Sequence, residues 1–135
     1  IMNNIIIIEK NSCVKNINID LIDNLYKYCN YRNNNDFKQI YKWNHDIYIY
    51  ELYGKTKGKK VNKNMIKLPE YISNELYGNI CFVKKDLHNN LIEFNIEEWE
   101  SWYSTIFNEG IQKKDDVHVN NSSYDKLYYE YYESD

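Results

Sequence analysis

The sequence predicts an α+β fold: an antiparallel sheet of four to five strands, two helices packed on one face, and an acidic C-terminal tail. Three observations point there. Ile5–Ile8 and Ile47–Tyr53 are β-branched and aromatic runs of strand length, the second alternating. Ile96–Glu109 is an apolar stripe at helical spacing between start and stop signals. Beyond Gly110 the periodicity ends and polar, acidic and tyrosine residues take over. The expected organisation is one α+β domain over 1–110 and a polar, acidic, Tyr-rich tail over 111–135.

Ile5-Ile-Ile-Ile-Glu9 reads as a buried strand, and Asn11-Ser12 as the turn after it. Asn18 or Asp20 is placed to cap a helix reaching about Cys29. Leu21, Leu25, Tyr28 and Cys29 share one face of that helix, and Asn30 stops it. Asn33-Asn34-Asn35 is a polar loop. Phe37–Trp43 and Ile47–Tyr53 are strands whose short connection, Asn44-His45-Asp46, predicts a hairpin. On the second strand Tyr48, Tyr50 and Leu52 form an apolar face, expected to point at the core. Pro69 excludes a helix through the next segment. Leu76–Lys84 is another strand, in which Gly78 marks a bulge or a close backbone approach. Asp86–Asn90 is a turn and Leu91–Phe94 a short strand.

The helix signals over 96–109 reinforce one another. Asn95 is the N-cap, and Glu98 three residues on completes a capping box. Glu97, Glu98 and Glu100 favour the positive end of the helix dipole. Ile96, Trp99, Tyr103, Ile106 and Phe107 trace the apolar face, and Gly110 stands where a helix-ending glycine belongs. Trp102 lies off this stripe. It either widens the buried face or is a partly exposed anchor, a candidate partner contact. In the tail, Tyr124, Tyr128 and Tyr131/Tyr132 fit either a terminal helix or a mobile segment.

Apolar residues make up 43% and charged residues 27% of the 135 residues, which suits a globular domain with one core. The chain favours Asn, Ile, Lys and Tyr, all with A/T-rich codons, so genome base composition accounts for part of the lysine and tyrosine counts. Cys13, Cys29 and Cys81 are odd in number and widely spaced, which fits buried free thiols in a reducing compartment rather than a disulfide framework or a zinc site. Ile5–Ile8 is too short for a signal peptide core or a membrane span, so an intracellular protein is expected.

No Gly-x-Ser-x-Gly, Ser-x-x-Lys or Walker spacing is present, and His45, His88 and His118 fall in turns or loops. The expectation is a non-enzyme, with no catalytic residue, cofactor, metal or small-molecule substrate. The formal charge of −3 hides an asymmetry: residues 55–67 hold six lysines and no acid, whereas residues 115–135 hold six acids. Lys55, Lys57, Lys59, Lys60, Lys63 and Lys67 are therefore the candidate anion or nucleic-acid contacts, with Tyr53 or Tyr50 available for base stacking. The segment lacks arginine, which weakens bidentate recognition of phosphates or bases.

Three segments together resemble a conserved protein family of nucleocytoplasmic large DNA viruses, the giant-virus group. They are Lys42-Trp43 with Tyr48-Ile-Tyr-Glu-Leu-Tyr-Gly-Lys-x-x-Gly-Lys59; Leu68-Pro69 with Asn74-Glu-Leu-Tyr-Gly78 and Ile80–Val83; and Asn95-Ile-Glu-Glu-Trp-Glu100 with Tyr103 and Ile106-Phe107. The resemblance spans about residues 4–110. The family's proline cluster is reduced here to Pro69, and its two glycines after the last helix are replaced by Asn108-Glu109-Gly110. What the resemblance implies is a viral origin and a setting inside the infected host (cytoplasm, virus factory or nucleus), with virion packaging as an alternative, rather than a mechanism. A local likeness also exists to the tryptophan-glycine-arginine domain, which contacts DNA ends; Tyr53-Gly54-Lys55 stands where its signature triplet would be. The resulting expectation is a viral accessory protein that binds a viral or host protein in a virion or transcription-related assembly. The alternative is a nucleic-acid-binding module using the Lys-rich loop 53–67.

Overall fold

The computed structural model describes residues 3–20 and 22–116, the last eight of these by backbone alone. Strands β1 (Asn3–Ile8), β2 (Val14–Ile19), β3 (Phe37–His45), β4 (Tyr48–Lys55), β5 (Tyr77–Asp86) and β6 (Leu91–Ile92) form a single sheet. It has six strands in the order β2-β1-β5-β4-β3, and β6 also pairs with β5. Every described pairing is antiparallel. One-turn helix α1 (Leu25–Tyr28), a 3₁₀ turn over Lys60–Asn62 and the long helix α2 (Ile96–Asp116) are the other elements among the described residues.

The strand missed by sequence reasoning is β2. Asn16-Ile17-Asn18-Ile19 alternates, but asparagine is depleted in strands and Asn18 resembles a helix cap. Tertiary contacts give the asparagines other partners. Asn16 Nδ2 donates to the carbonyls of Ile5 and Phe94, joining the edge strand to the entrance of α2, and Asn18 Nδ2 donates to Asn4 Oδ1. The helix expected from Asp20 to Cys29 shrinks accordingly to one turn. Its N-cap is Asn24, without a side-chain hydrogen bond, and not Asn18 or Asp20. Leu21 lies outside the described residues. Asn30 does end the helix: at φ +68 it turns the chain, while Tyr31 N and Asn30 N donate to the carbonyls of Tyr26 and Lys27.

The hairpin β3–β4 forms, but its turn is Asp46-Ile47 rather than Asn44-His45-Asp46, since Asn44 and His45 pair with Ile49 and Tyr48 as strand residues. Ile40 is an extra residue in β3 where the register slips between Gln39 and Tyr41. Gly78, at φ +67, sits within the register shift between β4 and β5. A side chain there would collide with the Tyr31 hydroxyl, which donates to the carbonyls flanking the glycine, Tyr77 and Asn79.

The two helices do not share a face, which corrects the expected architecture. Alternation in β1 sends Ile6 and Ile8 to one side with Tyr50, Leu52, Ile80, Phe82, Trp99, Trp102 and Ile106 of β4, β5 and α2. It sends Ile5 and Ile7 to the other side with Ile19, Leu25, Cys29, Cys81 and Val83. Tyr48, Tyr50 and Leu52 do face the larger core, but the opposite face of β4 is also covered, with Ile49 and Glu51 both buried. Cys29 and Cys81 are buried free thiols as expected, but Cys13, in the turn between β1 and β2, is exposed.

Burial on both faces brings two lysines of β5 inside. Lys84 Nζ meets Glu98 Oε2 at 3.2 Å and lies 4.1 Å from the Tyr48 ring centre. Lys85 Nζ meets Glu51 Oε1 at 2.9 Å, with side chains only 8% and 5% exposed, and the same carboxylate oxygen accepts the Tyr53 hydroxyl at 2.7 Å. The predicted capping box is present: Asn95 Oδ1 accepts from Glu98 N, and Asn95 N donates to Glu98 Oε1. Glu98 thus caps α2 with one oxygen and ties it to β5 with the other. Gly110 does not end the helix, which runs on to Asp116. The tyrosine pattern of the tail and His118 fall outside the described residues.

Removing one member of the Glu51–Lys85 pair strands a buried charge. Glu51→Gln should cost about 3–5 kcal/mol, whereas Glu51→Leu with Lys85→Met should recover most of that loss. Urea unfolding of the three proteins checks this; equal losses in the single and double variants would show that the pair is not electrostatically coupled.

Candidate anion-binding loop

The Lys-rich segment leaves β4 at Lys55 and returns to β5 at Tyr77, and it is tied down along its length. Asp36, at φ +61, anchors the start. Its Oδ2 accepts the backbone N–H groups of Thr56 and Lys57, both at 2.8 Å, and its Oδ1 accepts the Thr56 hydroxyl and Lys38 Nζ at 3.0 Å. Desolvation pushes this carboxyl up, but the bonds from Lys38, Lys57 and Thr56 outweigh it and bring it from 3.8 down to about 2. Gly58 lies so close to Tyr77 that a side chain there would sit 2.9 Å from the Tyr77 Cβ and 3.0 Å from its ring.

Asn64 is the second anchor. Buried, it donates through Nδ2 to the carbonyls of Ile8 and Gly78, accepts Ile66 N at Oδ1, and donates its own N–H to Leu76 O. One amide therefore fastens the loop across the ends of β1 and β5, with both polar atoms of its side chain satisfied. From here the chain alternates. Ile66 and Leu68 pack on the larger core, while Met65 and Lys67 point outward. Tyr71 accepts the Trp43 indole N–H at 2.8 Å, and the Tyr103 hydroxyl of α2 donates to Lys67 O. A cleft of about 150 Å³ lined by Asn64, Ile66, Leu68 and Ile72 is smaller than ordinary ligand sites.

The predicted contacts divide on this frame. Lys57, Lys59, Lys60 and Lys67 are exposed. Lys55 is half-buried over the Tyr31 ring, 4.2 Å from its centre. Lys63 is paired with Glu75 at 2.9 Å, and this hydrogen bond and charge lower the Glu75 carboxyl. Tyr53 is not a free stacking platform. Its ring stacks on Phe37, and burial followed by its bond to Glu51 raises its hydroxyl. Tyr50 is buried against Trp102 at 4.6 Å. Trp102 itself is only 6% exposed, enclosed by Trp43, Tyr50, Phe82 and Phe94, so it widens the core face and offers no anchor to a partner.

Sequence reasoning missed three members of this surface. Val61 and Met65 are 75% and 69% exposed. Lys10 joins them from the end of β1, its Nζ bonded to Asn62 and its carbonyl to Met65 N. Only the alternation Met65-Ile66-Lys67-Leu68 hinted at an outward methionine. Among the described residues no group of three or more His, Cys, Asp and Glu is arranged to hold a metal, and no helix is long and apolar enough to cross a membrane. No family model, curated protein or solved structure matches this chain.

The Asp36 clamp carries a pH signature. Its folded-state value lies below the unfolded one, so its stabilisation is complete above about pH 4 and disappears as the pH falls towards about 2. Urea midpoints measured through this window should fall more steeply in the unaltered protein than in Asp36→Asn. Parallel profiles would show that Asp36 does not hold the loop.

Proposed function

We propose that the chain is a non-enzymatic binding protein whose pinned loop over residues 56–67 engages an acidic segment of a protein partner. The observation that carries this reading is the pairing of two large exposed apolar side chains, Val61 and Met65, with the exposed Lys57, Lys59, Lys60 and Lys67 on an anchored backbone. Anchoring limits the conformational entropy that binding must cost. Apolar contact supplies affinity that salt does not screen, and the lysines supply steering and selection against basic partners. The resemblance to giant-virus proteins would set this partner, viral or host, in a virion or transcription-related assembly of the infected cell.

The alternative, a nucleic-acid-binding module, draws on the run of six lysines without an acid. Against it, Tyr50 and Tyr53 are engaged within the fold, which leaves the lysine side without its expected aromatic platform.

Fluorescence anisotropy over a salt series separates the two, using an acidic peptide with leucine and tyrosine between glutamates, and single- and double-stranded DNA and RNA. The protein-partner reading expects peptide binding that weakens about tenfold or more in Lys57→Gln/Lys59→Gln/Lys60→Gln and also weakens in Val61→Ser/Met65→Ser. Nucleic-acid binding that falls steeply with salt and ignores Val61 and Met65 would favour the alternative. Binding to neither probe at low salt would remove the loop as an anion site.

A further inference from the structure

We propose that the loop surface has an occupant within the same chain: segment 117–135 docks on Lys57, Lys59, Lys60, Val61 and Met65, and an external partner must displace it. This rests on the reading of the loop as a site for acidic segments and names how that site is regulated.

Charge is the first argument. Residues 1–116 contain sixteen basic and sixteen acidic side chains, so the whole formal charge of −3 lies in 117–135. That segment carries Asp125, Glu130, Glu133 and Asp135 against a single lysine, Lys126. The loop holds six lysines and no acid over residues 55–67, and although Lys63 is paired with Glu75, Lys57, Lys59, Lys60 and Lys67 stay exposed. The two attract at short range even though the rest of the chain is neutral.

Chemistry beyond charge also matches. The segment places Leu127 and five tyrosines among its acids. Tyrosine faces suit lysine ammonium groups and a methionine thioether, and the loop presents both, with Met65 and Val61 exposed beside the lysines. A purely acidic tail would leave those apolar side chains uncovered; this one need not.

Placement makes the contact reachable. Helix α2 starts beside β1, where Phe94 N donates to Asn4 O, and it meets the loop where Tyr103 bonds to Lys67 O. It then continues through thirteen further residues to Asp116, roughly 20 Å along its axis. The following nineteen residues can span at most roughly 60 Å, ample for a return to the loop. Tethering at such a length corresponds to about millimolar effective concentration, so a weak intrinsic affinity is enough for docking.

The test uses the full chain with a nitroxide on Ser134→Cys in a Cys13→Ser background; Cys29 and Cys81 are fully buried and stay unlabelled. The proposal expects paramagnetic broadening of the Val61 and Met65 amide signals at low salt, relieved in molar salt and in Lys57→Gln/Lys59→Gln/Lys60→Gln. Unbroadened loop signals, or broadening strongest on another surface, would overturn it. So would equal broadening when spin-labelled chain is mixed with isotope-labelled chain lacking the nitroxide, because the occupant would then be a second copy. A second arm separates this from the reading it rests on. The acidic peptide should bind at least about twofold more tightly to Asp125→Asn/Glu130→Gln/Glu133→Gln/Asp135→Asn than to the unaltered chain. Equal affinities overturn the internal occupant alone; no peptide binding to either protein overturns the loop reading, whatever the broadening shows.

Discussion

The central strand β5 is buried on both faces, and the rest of the molecule answers to that constraint. From Ile80 to Lys85 every residue is buried, and alternation divides them between two cores. Each core needs its own cover, so a helix is required on either side of the sheet. The strand also carries two adjacent lysines inward, one to each face, and a buried ammonium group is tolerated only with a partner. Glu98 meets one and Glu51 the other. These pairs fix α2 against the sheet on one side and the β4–β5 register on the other. Their contribution is better understood as specificity than as net stability, since a misregistered strand would leave a charge uncompensated.

The loop follows from the same strand. β5 enters the sheet through the bulge at Gly78, and the carbonyl exposed there is taken by Asn64. That single amide links β5, β1 and the loop, while Asp36 holds the other end from β3's approach. A stretch that would otherwise be a solvated lysine run is thereby held as a surface of defined shape. Its inner residues complete the larger core and its outer ones stay in water. Stability and the candidate site are thus built from the same backbone, with alternate residues assigned to each.

Local signals were legible wherever they depended on neighbours a few residues apart. The Asn95/Glu98 box, the stop at Asn30, the β3–β4 hairpin and the special role of Gly78 all belong to this class, because capping, turn and steric requirements act within one turn or one strand pair. Helix ends set by packing were not legible: α1 lost most of its expected length and α2 ran past Gly110. The edge strand β2 was hidden because Asn16 satisfies the distant carbonyls of Ile5 and Phe94, and Asn18 the Asn4 side chain, rather than local groups. In the candidate site the lysines were visible as a charge run. Their division into exposed, paired and ring-stacked members was not, nor was the exposure of Val61 and Met65.

By itself, then, the sequence determined the α+β class, the strand-forming runs, the start of α2 and the opposed charges of residues 55–67 and 117–135. These follow from composition, periodicity and short-range hydrogen bonding. Only the tertiary structure decided that the helices lie on opposite faces, that Trp102 and Tyr50 are core, and that Val61 and Met65 face outward beside the lysines. The reason is that each outcome turns on which distant strand or ring fills the space next to a residue. That information enters only when β5 is enclosed from both sides.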